Sequence, residues 1–75
     1  MNQPSIPLGI YRHFKGNLYE AIAIAKHSET LEDMVVYRAL YGDGGMWVRS
    51  AEMFGETVTR EGKILPRFEY IDESI

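Results

Sequence analysis

Between Leu18 and His27 the chain alternates as a β-strand does, yet it is apolar on both sides. Successive side chains of a strand point to opposite faces. Leu18, Glu20, Ile22, Ile24 and Lys26 therefore fall on one face, and Tyr19, Ala21, Ala23, Ala25 and His27 on the other. A half-exposed strand should show one polar face. Residues 34–41 repeat the pattern, with Met34, Val36 and Leu40 opposite Val35, Tyr37, Ala39 and Tyr41. One face must fill a core. The other needs cover from the N-terminal arm, a short helix, a second subunit or a ligand.

A chain of 75 residues has little to spare for that cover. Surface scaling gives roughly 4,700 Å² folded against roughly 12,500 Å² unfolded. If about 60% of the buried area is apolar, burial contributes on the order of 115 kcal/mol at ~25 cal/mol per Å². Ordering the chain costs about the same, at ~1.5 kcal/mol per residue. This near balance allows one marginal domain. The absence of cysteine removes a disulfide scaffold, a thiolate zinc site and a cysteine nucleophile together. A 45% apolar share with 25% charged residues speaks against disorder. The longest apolar run, Ala21 to Ala25, is too short for a membrane span, and Met1 to Pro7 lacks the pattern of a signal peptide. The expected compartment is the cytoplasm.

The net charge of −3 is unevenly spread. Residues 1–27 hold three basic side chains and one acidic, a net of +2, plus both histidines. Residues 28–75 hold five basic and ten acidic, a net of −5. An acidic domain is a poor general binder of nucleic acid, because that affinity rests on phosphate neutralisation.

Residues 1–7, with two prolines, read as a mobile arm and residues 72–75 as a frayed tail, leaving one domain over 8–71. A strand from Leu8 to Phe14 turns at Lys15-Gly16-Asn17 into the strand 18–27. Residues 28–41 admit two readings. Thr30-Leu31-Glu32-Asp33 resembles a capping box with Gly42 as a helix stop, whereas Val35-Val36-Tyr37 favours a strand. Asp43-Gly44-Gly45 forms a hairpin turn into Met46-Trp47-Val48-Arg49. Ala51 to Gly55 suits one helical turn, and after a turn at Glu61-Gly62-Lys63 a last strand runs from Ile64 to Ile71, with Pro66 arguing for an edge. The expected fold is mostly β: a five-stranded, SH3-like antiparallel barrel with one short helical turn before the last strand. The alternative is an α+β sheet with a helix near 30–41.

The candidate chemistry is spread along this frame. Arg12, His13 and Lys15 crowd the first strand end, with Arg12 either paired to a carboxylate or presenting its fork to an anion. His27-Ser28-Glu29 invites a triad, but neighbours on a strand face opposite ways. His27 therefore cannot take a proton from Ser28, and Glu29 is the better orienting partner. His13 and His27 can meet across a hairpin, yet nothing resembles a metal-ligand motif. Tyr37, Arg38, Tyr41, Trp47, Arg49 and Arg67 form an aromatic and arginine-rich set typical of binding hot spots, and equally of barrel ends. Gly42-Asp43-Gly44-Gly45 lacks the lysine and hydroxyl of a phosphate loop. No cofactor is called for.

Gly9-x-Tyr11-Arg12-His13-Phe14-Lys15-Gly16, Ala25-x-His27-Ser28-Glu29-Thr30, Val36-Tyr37-Arg38-Ala39-Leu40-Tyr41, Trp47-Val48-Arg49, Met53-Phe54 and Arg67-Phe68 occur in order. Together they make the chain resemble a small bacterial family known as domain of unknown function 1653. Ser50 departs from the resemblance, since the family usually has proline there. The resemblance implies a compact, mostly β domain with no established activity, and a loop and strand rather than a helix after Thr30. It carries over no catalytic residue. It does single out recurring polar positions: Arg12, His13, Lys15, His27, Ser28, Glu29, Tyr37, Arg38, Trp47, Arg49 and Arg67.

The leading functional expectation is a non-catalytic binding module for an anionic or peptide-like ligand, using Arg12, His13, His27, Arg38 and Arg49 with Trp47 stacking. A small acid–base enzyme using His27 with Glu29, or His13, is the first alternative. RNA or single-strand binding is the second.

Overall fold

A computed structural model describes residues 6–73. Seven strands and one helical turn follow in order: β1 (Gly9–His13), β2 (Leu18–Lys26), β3 (Asp33–Ala39), β4 (Met46–Ser50), α1 (Ala51–Phe54), β5 (Thr57–Arg60), β6 (Lys63–Pro66) and β7 (Phe68–Asp72). Five strands form one sheet in the order β4-β3-β2-β1-β7, antiparallel throughout, and β5-β6 is a separate hairpin. The mostly β, antiparallel architecture with one short helical turn agrees with the sequence expectation. The strand count does not. The end strands β4 and β7 do not pair with each other, so these ladders close no barrel.

The helix alternative over 30–41 is overturned. Its capping-box residues serve a turn instead: Thr30 Oγ1 accepts the Glu32 N–H at 3.3 Å, and Leu31 takes a φ of 65°. The His27 N–H donates to the Glu32 carbonyl and the Leu31 N–H to the His27 carbonyl. Burial of Val35 and Tyr37 then rewards the extended form. The expected last strand, Ile64–Ile71, is two strands. Pro66 has no N–H to give. At Arg67 the backbone is diverted: its N–H donates to the Glu56 carbonyl and its carbonyl accepts from Phe14. The strand Thr57–Arg60 was not expected at all. The arm expected over residues 1–7 lies mostly outside the described residues, but Ile6 packs on the core and the Pro7 carbonyl accepts the Tyr11 hydroxyl at 2.6 Å. Of the expected tail, Asp72 pairs with Ile10, and residues 74–75 lie outside the described residues.

The alternation of β2 is broken by a bulge. Ala21 faces Tyr37, but Ala23 faces Val36 and Ile24 faces Val35. The extra residue, Ile22, exchanges the two faces from that point on. The face assignment read from sequence therefore holds for residues 18–21 and is inverted from Ala23 onward.

The core is aromatic and lies on one face of the sheet. Phe54 stacks on Phe68 with centroids 4.1 Å apart, and Tyr11 and Tyr37 meet Phe54 edge-on at 5.0 and 5.6 Å. Helix α1 starts at Ser50, whose Oγ accepts the Met53 N–H at 3.1 Å, and it delivers Ala51 and Phe54 to that same core. Both α1 and Ile6 thus cover the inner face. On the outer face Leu18, Met46 and Val48 remain exposed. No helix among the described residues is long and apolar enough to cross a membrane.

Candidate functional site

Four aromatic rings and one arginine converge at the β3–β4 end of the inner face. Cross-strand register aligns Tyr37 with Trp47 and Val35 with Arg49, while Tyr19 on β2 lies opposite Ala39. Directly opposed residues share a face, so Tyr19, Tyr37, Trp47 and Arg49 all project inward. The Asp43-Gly44 turn brings Tyr41 back over Tyr19, and their hydroxyls hydrogen-bond at 2.7 Å. These five side chains line a cavity of about 210 Å³. Tyr19 stays a neutral phenol, its pKa pushed up to about 12 by burial first and by the Tyr41 hydrogen bond second.

Arg49 is the charged wall. Its guanidinium carbon sits 6.0 Å from the Phe68 centroid. Its Nε is shut off from solvent and has no hydrogen-bond partner among the described residues, and Arg67 Nε is in the same position. Arg67 is otherwise held by Glu56, with Nη2 to Oε1 at 3.4 Å. His13 packs against Phe68 at 5.0 Å and Tyr19 at 6.2 Å. Its pKa is lowered by burial first, then by Arg67, Lys15 and Arg49. Within an acidic chain, this corner is electropositive.

The remaining candidates do not join it. Arg12 projects to the opposite face from Tyr11 and lies opposite Glu69. It lines a second cavity of about 220 Å³ with His13, Phe14, Leu65, Pro66 and Glu69, so that lining holds a carboxylate as well as a guanidinium. Arg38 is on the outer face, bound to Glu20 through Nη2 at 2.8 Å and Nε at 3.0 Å. Lys15 sits 5.9 Å over the Phe14 ring. Ser28 and Glu29 are exposed in the loop after β2. His27 Nδ1 accepts the Glu29 N–H at 3.1 Å and the Thr30 N–H at 3.3 Å, so the imidazole holds the loop and Glu29 contributes its backbone. His13 Nδ1 likewise accepts the Lys15 N–H at 3.2 Å.

The expected meeting of the two histidines does not occur. His13 lies at the turn between β1 and β2, and His27 follows the far end of β2, about 30 Å away at 3.3 Å per residue. Among the described residues no group of three or more His, Cys, Asp or Glu could hold a metal ion. Tyr19 was missed as a site residue because a tyrosine on an alternating strand reads as core. Its signal was the cross-strand neighbourhood, which needs the register.

Burial, with the cations Arg67, Lys15 and Arg49 nearby, makes His13 acid-sensitive. Its folded pKa lies below the ordinary 6.5, so the unfolded chain takes up a proton first. That contribution to stability is fully present above pH 6.5 and is lost as pH falls from there through the lowered folded value. The His13→Asn variant keeps an acceptor for Lys15 and does not titrate. Between pH 7 and pH 5 its melting temperature should fall less than the wild type's. Parallel slopes would remove His13 as the cause.

Residues 9–70 match the model of the family described as "Protein of unknown function (DUF1653)". A crystal structure of a protein belonging to that family, from Bordetella bronchiseptica, is similar at 39% sequence identity and a TM-score of 0.82. The similarity covers 89% of this chain and 88% of that one. No curated protein matches the chain. The chain belongs to the DUF1653 family.

Proposed function

We propose that this protein is a non-catalytic binding module that takes a carboxylate-bearing ligand into the aromatic cavity, with Arg49 facing the carboxylate and Trp47 stacking beside it. Register shifts mark two bulges, in the β1–β7 and β2–β3 ladders, a feature that bends sheets, and we read the fold as an SH3-like barrel left open between β4 and β7. The observation that carries the proposal is Arg49 Nε, sealed from water and unpartnered beside four aromatic rings. A buried donor left unpaired costs about 1–3 kcal/mol. A ligand carboxylate in the cavity that Arg49 lines, met by a turn of the guanidinium that brings Nε to it, removes the cost and gains a charge-assisted bond. An aromatic cage for a quaternary ammonium would need the same rings, but a guanidinium in the wall repels a cation. At about 210 Å³ the cavity is smaller than the ~300–1,000 Å³ of ordinary ligand pockets, which suits one side chain or a small aromatic acid.

Trp47 is the single tryptophan, so its indole N–H and fluorescence report on the cavity alone. Phenylacetate should shift the Trp47 indole resonance, and phenylacetamide and benzyltrimethylammonium should not. Arg49→Gln should weaken phenylacetate binding by about 10- to 100-fold, the equivalent of the 1.5–3 kcal/mol of a charged hydrogen bond. Arg49→Lys, which keeps the charge without the fork, should fall between. Equal responses to the acid, the amide and the cation would overturn the reading.

A further inference from the structure

Trp47 and Arg49 of β4 both line the cavity, and the hydrogen-bond phase of that strand leaves its free edge ready to pair. The Ala39 N–H donates to the Gly45 carbonyl at 2.9 Å. Hydrogen-bonded pairs alternate along an antiparallel ladder, so Tyr37–Trp47 and Val35–Arg49 are hydrogen-bonded pairs as well. The Leu40 N–H donating to the Leu18 carbonyl at 3.0 Å sets the matching opposite phase toward β2. Trp47 and Arg49 therefore direct their backbone groups to β3, and Met46 and Val48 direct theirs outward, where no strand pairs among the described residues.

Natural sheet edges are guarded by charge, proline or bulges. The other edge is guarded: β7 carries Glu69 and Asp72, and its register with β1 slips between Ile10 and Tyr11. β4 has no such protection. Met46, Trp47 and Val48 are 58%, 58% and 62% exposed, and the strand's one charge, Arg49, is turned inward over Phe68.

We propose that an extended acidic peptide adds to the sheet along β4, bonding the backbone of Met46 and Val48 and placing a carboxylate side chain at Arg49. The proposal rests on the carboxylate reading of the cavity. A strand added there lies about 4.8 Å from β4 and sends every second side chain to the face that carries Trp47 and Arg49. Charge complementarity selects the occupant. β4 itself reads Met-Trp-Val-Arg-Ser, with no carboxylate. A second copy paired antiparallel about Val48 would set Trp47 against Arg49 and leave both guanidinium groups without an anion.

The test uses a capped five-residue peptide alternating valine and glutamate, beginning and ending with valine. With glutamates opposite Trp47 and Arg49, the central valine pairs with Val48 and turns its N–H to β4. The peptide should bind at least ten-fold tighter than phenylacetate. N-methylation of the central valine should abolish that advantage, whereas N-methylation of a glutamate, whose N–H points away from β4, should leave it. In amide exchange the Met46 and Val48 N–H groups should be fast in the free protein and slow in the complex. Those of Trp47 and Arg49 should be slow in both. If phenylacetate binds through Arg49 but the two methylated peptides bind alike, strand addition is overturned and the cavity reading stands. If neither probe moves the Trp47 signal, both fall. If light scattering shows a dimer with Met46 and Val48 already protected, the edge belongs to a second copy and the proposal is overturned.

Discussion

Phe54→Ala is expected to bring this protein to the edge of unfolding at room temperature. Phe54 is 1% exposed, lies flat on Phe68 and meets the edges of Tyr11 and Tyr37. No other element reaches that position, because α1 is a single turn held at one end by Ser50 and at the other by Gly55. Truncating a buried phenylalanine costs about 3–5 kcal/mol. A 75-residue domain at about 0.05–0.15 kcal/mol per residue has only about 4–11 kcal/mol in all. The melting temperature should drop by at least about 12 °C, at 4–8 °C per kcal/mol for a domain of this size. Met53→Ala, one residue earlier and 44% exposed, should cost no more than about 1 kcal/mol. Similar losses for the two variants would contradict an aromatic core centred on Phe54.

What could be read in the sequence was whatever is local. The hairpin turns at Lys15-Gly16 and Gly44-Gly45, the single helical turn before Gly55 and the extended form of residues 18–26 follow from periodicity and turn chemistry. Thr57-Val58-Thr59-Arg60 was missed because four residues with one apolar member show no period, although three are β-branched. The break at Arg67 depends on carbonyl and N–H partners eleven and more residues away, which no local pattern encodes. The bulge at Ile22 is the same kind of failure: it inverts half a strand, and only the pairing with β3 reveals it.

The site divides along the same line. Trp47 and Arg49 were legible as a pair on one strand face, two residues apart. That Tyr19, Tyr37 and Tyr41 wall them, while Arg12, Arg38 and His27 go elsewhere, is decided by register. Arg38 illustrates the difference. From sequence it stands beside Tyr37 in an apparent binding set, but one step along a strand is a change of face, and on the outer face it meets Glu20. The apolar surplus on both faces of the middle strands remains after folding. The chain covers its inner face with α1 and Ile6 and leaves Leu18, Met46 and Val48 open.

Gly9→Ala should destabilise the protein without touching the cavity. Gly9 is buried and has a φ of +143°, a backbone region that costs a residue with a side chain about 1–3 kcal/mol. A Cβ there would also collide with the Asp72 carbonyl oxygen and meet the Glu73 carbonyl oxygen at 2.5 Å. Both are main-chain atoms, so no side chain can rotate away, and the end of β7 must part from β1. The combined cost should reach at least about 2–4 kcal/mol, the strain plus the lost pairing. The damage should stay local. Asp72 pairs with Ile10 at one end of β7, while Phe68, which carries Arg49, pairs with His13 at the other. Four residue steps, about 13 Å, separate them. The folded fraction of Gly9→Ala should therefore bind phenylacetate within two-fold of the wild type, even as its melting temperature falls by 8 °C or more, at ~4 °C per kcal/mol. A variant that melts within about 2 °C of the wild type would mean that β7 does not close over Gly9. A variant that loses both stability and binding would mean that β7 moves as one piece, carrying Phe68 away from Arg49.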